Sequence, residues 1–257
     1  LVPEVVRISP YKTGPEPLLQ KTMSEEFKEN YGELLDDIYN SRVEDISEAK
    51  NWSKERTIMT IDLGPYWSIK DAIDKELITG TMFPDEFNDY VENLTKNEKK
   101  TEIIDWDNYD RSDPYSYNWK ENDKPKIAII YAVGGIISGK SNPGPAGSTM
   151  MGDKTIKKAI KEAREDDEID AIILRVDSGG GSALASDMMW REVFKTTVED
   201  TDNIKPFIVS MSDAAASGGY YISCQADKII ADETTITGSI GVYWMRINFS
   251  QLLERIG

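Results

Sequence analysis

Residues 206–220 read Pro206-Phe207-Ile208-Val209-Ser210-Met211-Ser212-Asp213-Ala214-Ala215-Ala216-Ser217-Gly218-Gly219-Tyr220. An apolar run of strand length passes here into alanines, one serine and two glycines. The run predicts a buried strand over 206–211, of the kind found in parallel sheets, and a helix starting near Ser217. The same grammar repeats on both sides. Residues 126–132, 171–176 and 228–231 read as further apolar strands, with Ile127, Ile129 and Ile130 as buried-type positions of the first. Asp153–Glu165 reads as a helix with Ile156, Ala159, Ile160 and Ala163 inward, and 184–198 as another. Strands alternating with helices predict an α/β fold with a largely parallel sheet and helices on its faces. Ligands on such sheets bind beyond the carboxyl ends of the strands. Both glycine-rich turns, 178–182 and 217–219, fall at that edge.

Upstream the pattern is less regular. Val5-Val6-Arg7-Ile8 reads as a short strand, and residues 10–17 as a loop holding Lys12 and Glu16. Thr22 and Glu25 fit a capping box for the helix that follows. Met23, Phe27, Tyr31, Leu34 and Ile38 form its apolar face. Helical patterns recur over 67–76 and 84–95. The polar stretch 107–125, with Asp113-Pro114, reads as a linker and domain boundary.

The chain has 257 residues, 39% of them hydrophobic, and a net charge of −16. That length suits one large α/β domain or two smaller ones. So acidic a chain argues against a nucleic-acid partner, since phosphate binding needs a basic surface. The single cysteine, Cys224, cannot form an internal disulfide, and its apolar neighbours predict a core position. No run of 18 apolar residues is long enough to span a membrane. The first residues carry no signal-peptide pattern, so any targeting segment is expected outside this sequence. Gly134, Gly139, Lys140 and Ser141 match a phosphate-loop pattern. That pattern works only with a helix beginning at the lysine, and Asn142-Pro143-Gly144-Pro145 opposes one. A loop is expected there.

Ser217 is the candidate nucleophile. Serine is weak at neutral pH and needs a base. The chain has no histidine, so the base must be a lysine, a carboxylate or a group from another chain. The lack of histidine also removes most zinc sites. Gly179-Gly180-Gly181 could bring backbone N–H groups close to a developing negative charge. Thr235-Ile236-Thr237-Gly238-Ser239-Ile240-Gly241 is a third turn rich in hydroxyls and glycines.

These segments resemble the signal peptide peptidase A family, also called protease IV. The turn 177–182 resembles the family's Asn-Ser-Pro-Gly-Gly, with Asp177 for the asparagine and Gly179 for the proline. Residues 209–223 and 226–241 resemble its serine segment. Tyr11-Lys12-Thr13, followed by Glu16-Pro17 and a helix, resembles the lysine segment of the long, tandem-repeat members. The resemblance implies a ClpP/crotonase-like fold of repeated β-β-α units, here as two incomplete repeats. Residues 1–106 would be the later part of the first repeat and 126–257 the front of the second, joined by 107–125. It implies a serine endopeptidase with a Ser/Lys dyad. Ser217 would be the nucleophile, Lys12 the base and Ser239 the residue orienting the lysine. The N–H groups of Gly181 and Gly218 would form the oxyanion hole. No metal and no cofactor are implied. The implied substrates are apolar peptides such as cleaved signal peptides, and the implied assembly is a homo-oligomer. The implied place is the bacterial cell envelope, membrane-associated and facing the periplasm or outside, with anchoring through segments outside this chain. Two alternatives stay open: a crotonase-like acyl-CoA enzyme, and an inactive fragment or scaffold of the same fold.

Overall fold

The computed structural model describes residues 2–94, 125–200 and 204–257. Nearly all of the expected linker 107–125 lies outside them. The chain divides into two compact units, one of residues 1–42 with 124–257, the other of residues 43–123.

The first unit is built on a parallel sheet. Strands β2 (Ile127–Val133), β6 (Ala171–Ser178), β7 (Phe207–Ala216) and β8 (Lys228–Ile230) lie in the order β2-β6-β7-β8. Strand β9 (Ile236–Gly238) continues along the far half of β7, pairing Ala214 with Ile236 and Ala216 with Gly238. Register is regular from Ile172↔Phe207 to Val176↔Met211, then shifts before Ser178↔Ala215. That irregularity lets β7 run on to carry Ser217 past the end of its neighbour. Three short strands, β3 (Gly135–Ile137), β4 (Asn142–Pro143) and β5 (Thr149–Gly152), form a small second sheet in the order β3-β5-β4.

One face of the main sheet makes the core. Along β6 burial alternates strictly, with Ile172, Leu174 and Val176 wholly buried. They pack with Ile156 and Ile160 of α6 (Asp153–Glu165), with Met189 and Val193 of α7 (Ala183–Phe194), and with Ile222 of α8 (Gly218–Ser223). Arg164 of α6 is 4% exposed and pairs with Glu192 of α7 at 2.7 Å, locking the two helices together. The opposite face corrects the expectation for the first strand. Ile127 and Ile129 are more than half exposed, whereas Ile130 and Ala132 point into the core. Period-two geometry allows one face of a strand to be covered without the other.

The N-terminal segment joins the same unit. Strand β1 (Val2–Arg7) pairs antiparallel with β10 (Tyr243–Asn248), in register Val2↔Asn248 to Arg7↔Tyr243. A short helix, α1 (Glu16–Leu19), follows, then α2 (Glu25–Lys50). Ser24, not Thr22, caps α2, its Oγ accepting from the Phe27 N–H at 3.1 Å. On the expected apolar face of α2, Phe27, Leu34 and Ile38 are half-buried while Met23 and Tyr31 stay exposed. The second unit holds the rest of α2, then α3 (Lys54–Asp62), α4 (Ile69–Asp74) and α5 (Pro84–Leu94). Within it, Val43 is buried and the Ser47 and Thr57 hydroxyls lie 2.9 Å apart.

The phosphate-loop pattern lies in strand and turn. After Ser141 the chain forms β4, and the next α-helix begins only at Asp153. The helix N-terminus that would face a phosphate is not at Lys140.

Candidate active site

Ser217 sits at the sharp turn between β7 and α8. Its φ is +53° and its ψ −115°, a backbone state that costs a non-glycine residue energy and recurs at functional turns. Two features hold it there. The Ser217 N–H donates to Gly238 C=O at 2.8 Å, and Ser217 C=O accepts from the Tyr221 N–H at 2.9 Å. The glycines that follow are needed for space. A Cβ on Gly219 would lie 2.5 Å from Ser178 C=O, and one on Gly218 2.5 Å from Ser186 Oγ.

Lys12 arrives from the other end of the chain. It is 7% exposed. Its Nζ lies 3.0 Å from Ser217 Oγ and 3.1 Å from Ser239 Oγ, and it also donates to Ser239 C=O. Burial pushes its pKa below the ordinary lysine value. Ser239 also has a positive φ, +47°, and follows directly on β9. Gly241, at φ +140°, packs against the lysine stem: a Cβ there would lie 3.7 Å from Lys12 Cδ.

The amine geometry has a chemical consequence. A neutral lysine has two N–H bonds and one lone pair. With both N–H bonds given to the Ser239 carbonyl and hydroxyl, the lone pair is left for the Ser217 proton.

The glycine turn lies against the same serine. Ile136 N–H donates to Gly180 C=O at 3.0 Å, and Ser182 N–H donates to Ile136 C=O at 2.9 Å. In such a parallel bridge the intervening residue, Gly181, directs its own N–H away from Ile136. The Gly218 N–H is the first of α8 and lacks an intrahelical partner. Gly181 and Gly218 both line one cleft of about 730 Å³ with Ser217, Lys12 and Ser239. Its apolar wall includes Ile8, Ala183, Tyr220, Val242 and Tyr243.

Several residues of the site escape a reading of the sequence. Ser178 is 2% exposed; its Oγ donates to Gly134 C=O at 2.7 Å and accepts from the Gly180 N–H at 3.1 Å. Gly180, at φ +97°, makes the closest approach: a Cβ there would lie 2.8 Å from Ser217 Cβ and 2.7 Å from Gly218 N. The run of glycines was the available signal, but it does not say which one touches the serine. At Gly179 a Cβ meets nothing within 4 Å, so a side chain has room to begin there. Asp177 Oδ1 accepts from the Ala214 N–H at 3.4 Å. Cys224 is exposed rather than in the core, and lines the cleft with its Sγ 3.1 Å from Tyr221 C=O.

The family model described as "Peptidase family S49" matches residues 199–257. A protein of Arabidopsis thaliana named "Serine protease SPPA, chloroplastic" is 37% identical over 257 residues, covering 99% of this chain and 37% of that protein. "Protease 4" of Haemophilus influenzae is 35% identical over 272 residues, covering 100% of this chain and 42% of that protein. "Protease 4" of Salmonella typhi is 31% identical over 98% of this chain and 40% of its own length.

Over nearly its whole length the chain is similar to proteins named as signal peptide peptidase A or protease 4, and residues 199–257 match the S49 peptidase family. It spans less than half the length of these relatives. Its likeness to the three extends over nearly the whole chain, so the signal peptide peptidase A resemblance covers the lysine segment as well as the serine segment. Among the described residues no helix is long and apolar enough to cross a membrane.

Proposed function

We propose that Ser217 and Lys12 form the dyad of a serine endopeptidase that hydrolyses apolar peptides such as cleaved signal peptides. The observation that carries this reading is a buried lysine amine 3.0 Å from the hydroxyl of a strained serine. Neutral Lys12 takes the Ser217 proton as Oγ attacks the peptide carbonyl. The carbonyl oxygen becomes an oxyanion and accepts from the Gly181 and Gly218 N–H groups, each donor worth about 3–4 kcal/mol in comparable sites. The Lys12 ammonium then protonates the leaving amine as the C–N bond breaks, leaving an acyl-serine. Water gives a proton to Lys12 and attacks the ester; that proton returns to Ser217 as the acid departs. Ser239 holds the amine throughout.

The apolar wall of the cleft supports an apolar peptide as substrate. The family supports the remaining parts of the reading: a homo-oligomer, tandem repeats divided near residues 107–125, and work at a membrane of the bacterial envelope.

Peptide-ester hydrolysis and fluorophosphonate labelling test the proposal. Ser217→Ala is expected to lose labelling and at least about 10³-fold in turnover, and Lys12→Ala to lose comparable turnover. Wild-type turnover in either variant would contradict the dyad. An acyl-CoA enzyme of similar fold, needing no nucleophilic serine, would leave Ser217 unlabelled.

A further inference from the structure

Glu16 is a carboxylate with 2% exposure, four residues from the candidate base. Four donors meet it. Arg7 Nη1 gives to Oε1 at 2.7 Å and Ser24 Oγ to Oε1 at 2.8 Å. Gln20 Nε2 gives to Oε2 at 2.8 Å and the Ser24 N–H to Oε2 at 3.2 Å. They come from β1, from the end of α1 and from the cap of α2, so one side chain ties three segments together. Between them lies the Lys12 turn, closed by Lys12 N–H to Ser9 C=O at 3.1 Å and Glu16 N–H to Thr13 C=O at 2.9 Å. Arg7 stands opposite Tyr243 of β10, two residues beyond the Gly241 that packs on the lysine stem.

We propose that Glu16, paired with Arg7, is a positioning residue: it pins the turn that carries Lys12, and the arginine keeps its charge from the amine. This rests on Lys12 being the base of Ser217. A carboxylate near a lysine normally favours the ammonium, the inactive form. Here the carboxylate's capacity is taken up by Arg7, Gln20 and Ser24. Arg7 first, then Ser24, holds its pKa at about 2, so it stays an acceptor across the working range. The other titratable group of the turn, the Tyr11 hydroxyl, donates to Glu29 of α2 at 2.8 Å.

The pair makes a test that simple loosening cannot mimic. The intact protein is assayed on an apolar peptide ester from about pH 5 to about pH 10, a window that ends near the reference lysine pKa. Glu16→Gln leaves Arg7 positive and uncompensated, so the ascending limb of kcat/KM should move to lower pH. Arg7→Met leaves the carboxylate uncompensated, so the limb should move to higher pH. The double variant should bring it back toward wild type. Glu16→Gln should lower kcat about tenfold or more with KM within about twofold, as expected for a lost reacting geometry. Limbs that stay in place, or move the same way in both single variants, overturn the proposal. So does a Glu16→Gln enzyme with wild-type kcat. Persistent activity in Lys12→Ala would overturn the dyad itself and this inference with it. A failing Glu16 series beside an inactive Lys12→Ala overturns the positioning role alone.

Discussion

At the residue scale the site depends on three backbones in unusual conformations. Ser217 at φ +53° projects its hydroxyl beyond the strand end, Ser239 at +47° turns both of its oxygens toward Nζ, and Gly180 at +97° lets the turn touch the serine. Gly180→Ala would place a Cβ within 3 Å of Ser217 Cβ and Gly218 N. Turnover should fall on the order of 10²-fold, the scale of one lost oxyanion donor, with the far-UV circular dichroism unchanged. A second expectation concerns Lys12. Its folded pKa is lowered, so at neutral pH, below the unfolded value, the buried charge opposes folding, and that cost fades as pH rises. Lys12→Met should therefore be inactive yet melt no lower than wild type at pH 7, as a melting curve would show. Serine, lysine and glycines were legible as residue types. Their backbone angles were not, because φ is set by the close approach of segments distant in sequence.

At the element scale the parallel strands were readable from apolar runs bounded by glycine, and the helix Asp153–Glu165 from its inward positions. The small sheet β3-β5-β4 and the strands β9 and β10 were not. They are two to six residues long, and β10 is largely exposed, so neither length nor alternation marks them. The cap of α2 was misplaced by two residues because Ser24 is recruited by Glu16, a partner outside the helix. The α6–α7 junction carries its own prediction. Arg164 and Glu192 are buried together, with Asp200 3.3 Å from Arg164 Nε. Arg164→Ala removes the nearer partner of buried Glu192, leaving only Lys195 at 3.7 Å, and should cost about 3 kcal/mol in urea unfolding. Arg164→Met with Glu192→Leu should recover much of that loss.

At the scale of the whole molecule, the candidate base and nucleophile are 205 positions apart in the chain yet belong to one compact unit. The antiparallel pairing of β1 with β10 brings the lysine turn to the serine edge. The sequence asked for a distant base but did not reveal this pairing, since β1 and β10 carry no motif of their own. A chain lacking residues 1–42 should keep helical and strand signal in circular dichroism but lose labelling of Ser217. Acid should weaken the same tie. Glu16 has its pKa lowered from 4.5 to about 2, so its contribution to stability is complete above about 4.5 and is lost as pH falls toward 2. Glu16→Gln should remove that part of the acid dependence, measured as melting temperature against pH.

The central claim is that Lys12, uncharged, activates Ser217. The rate of fluorophosphonate labelling of Ser217 against pH tests it most directly. The account predicts a rate that rises through one ionisation below the ordinary lysine range, and that collapses at every pH in Lys12→Ala. A rate independent of pH, or wild-type labelling in Lys12→Ala, would contradict it.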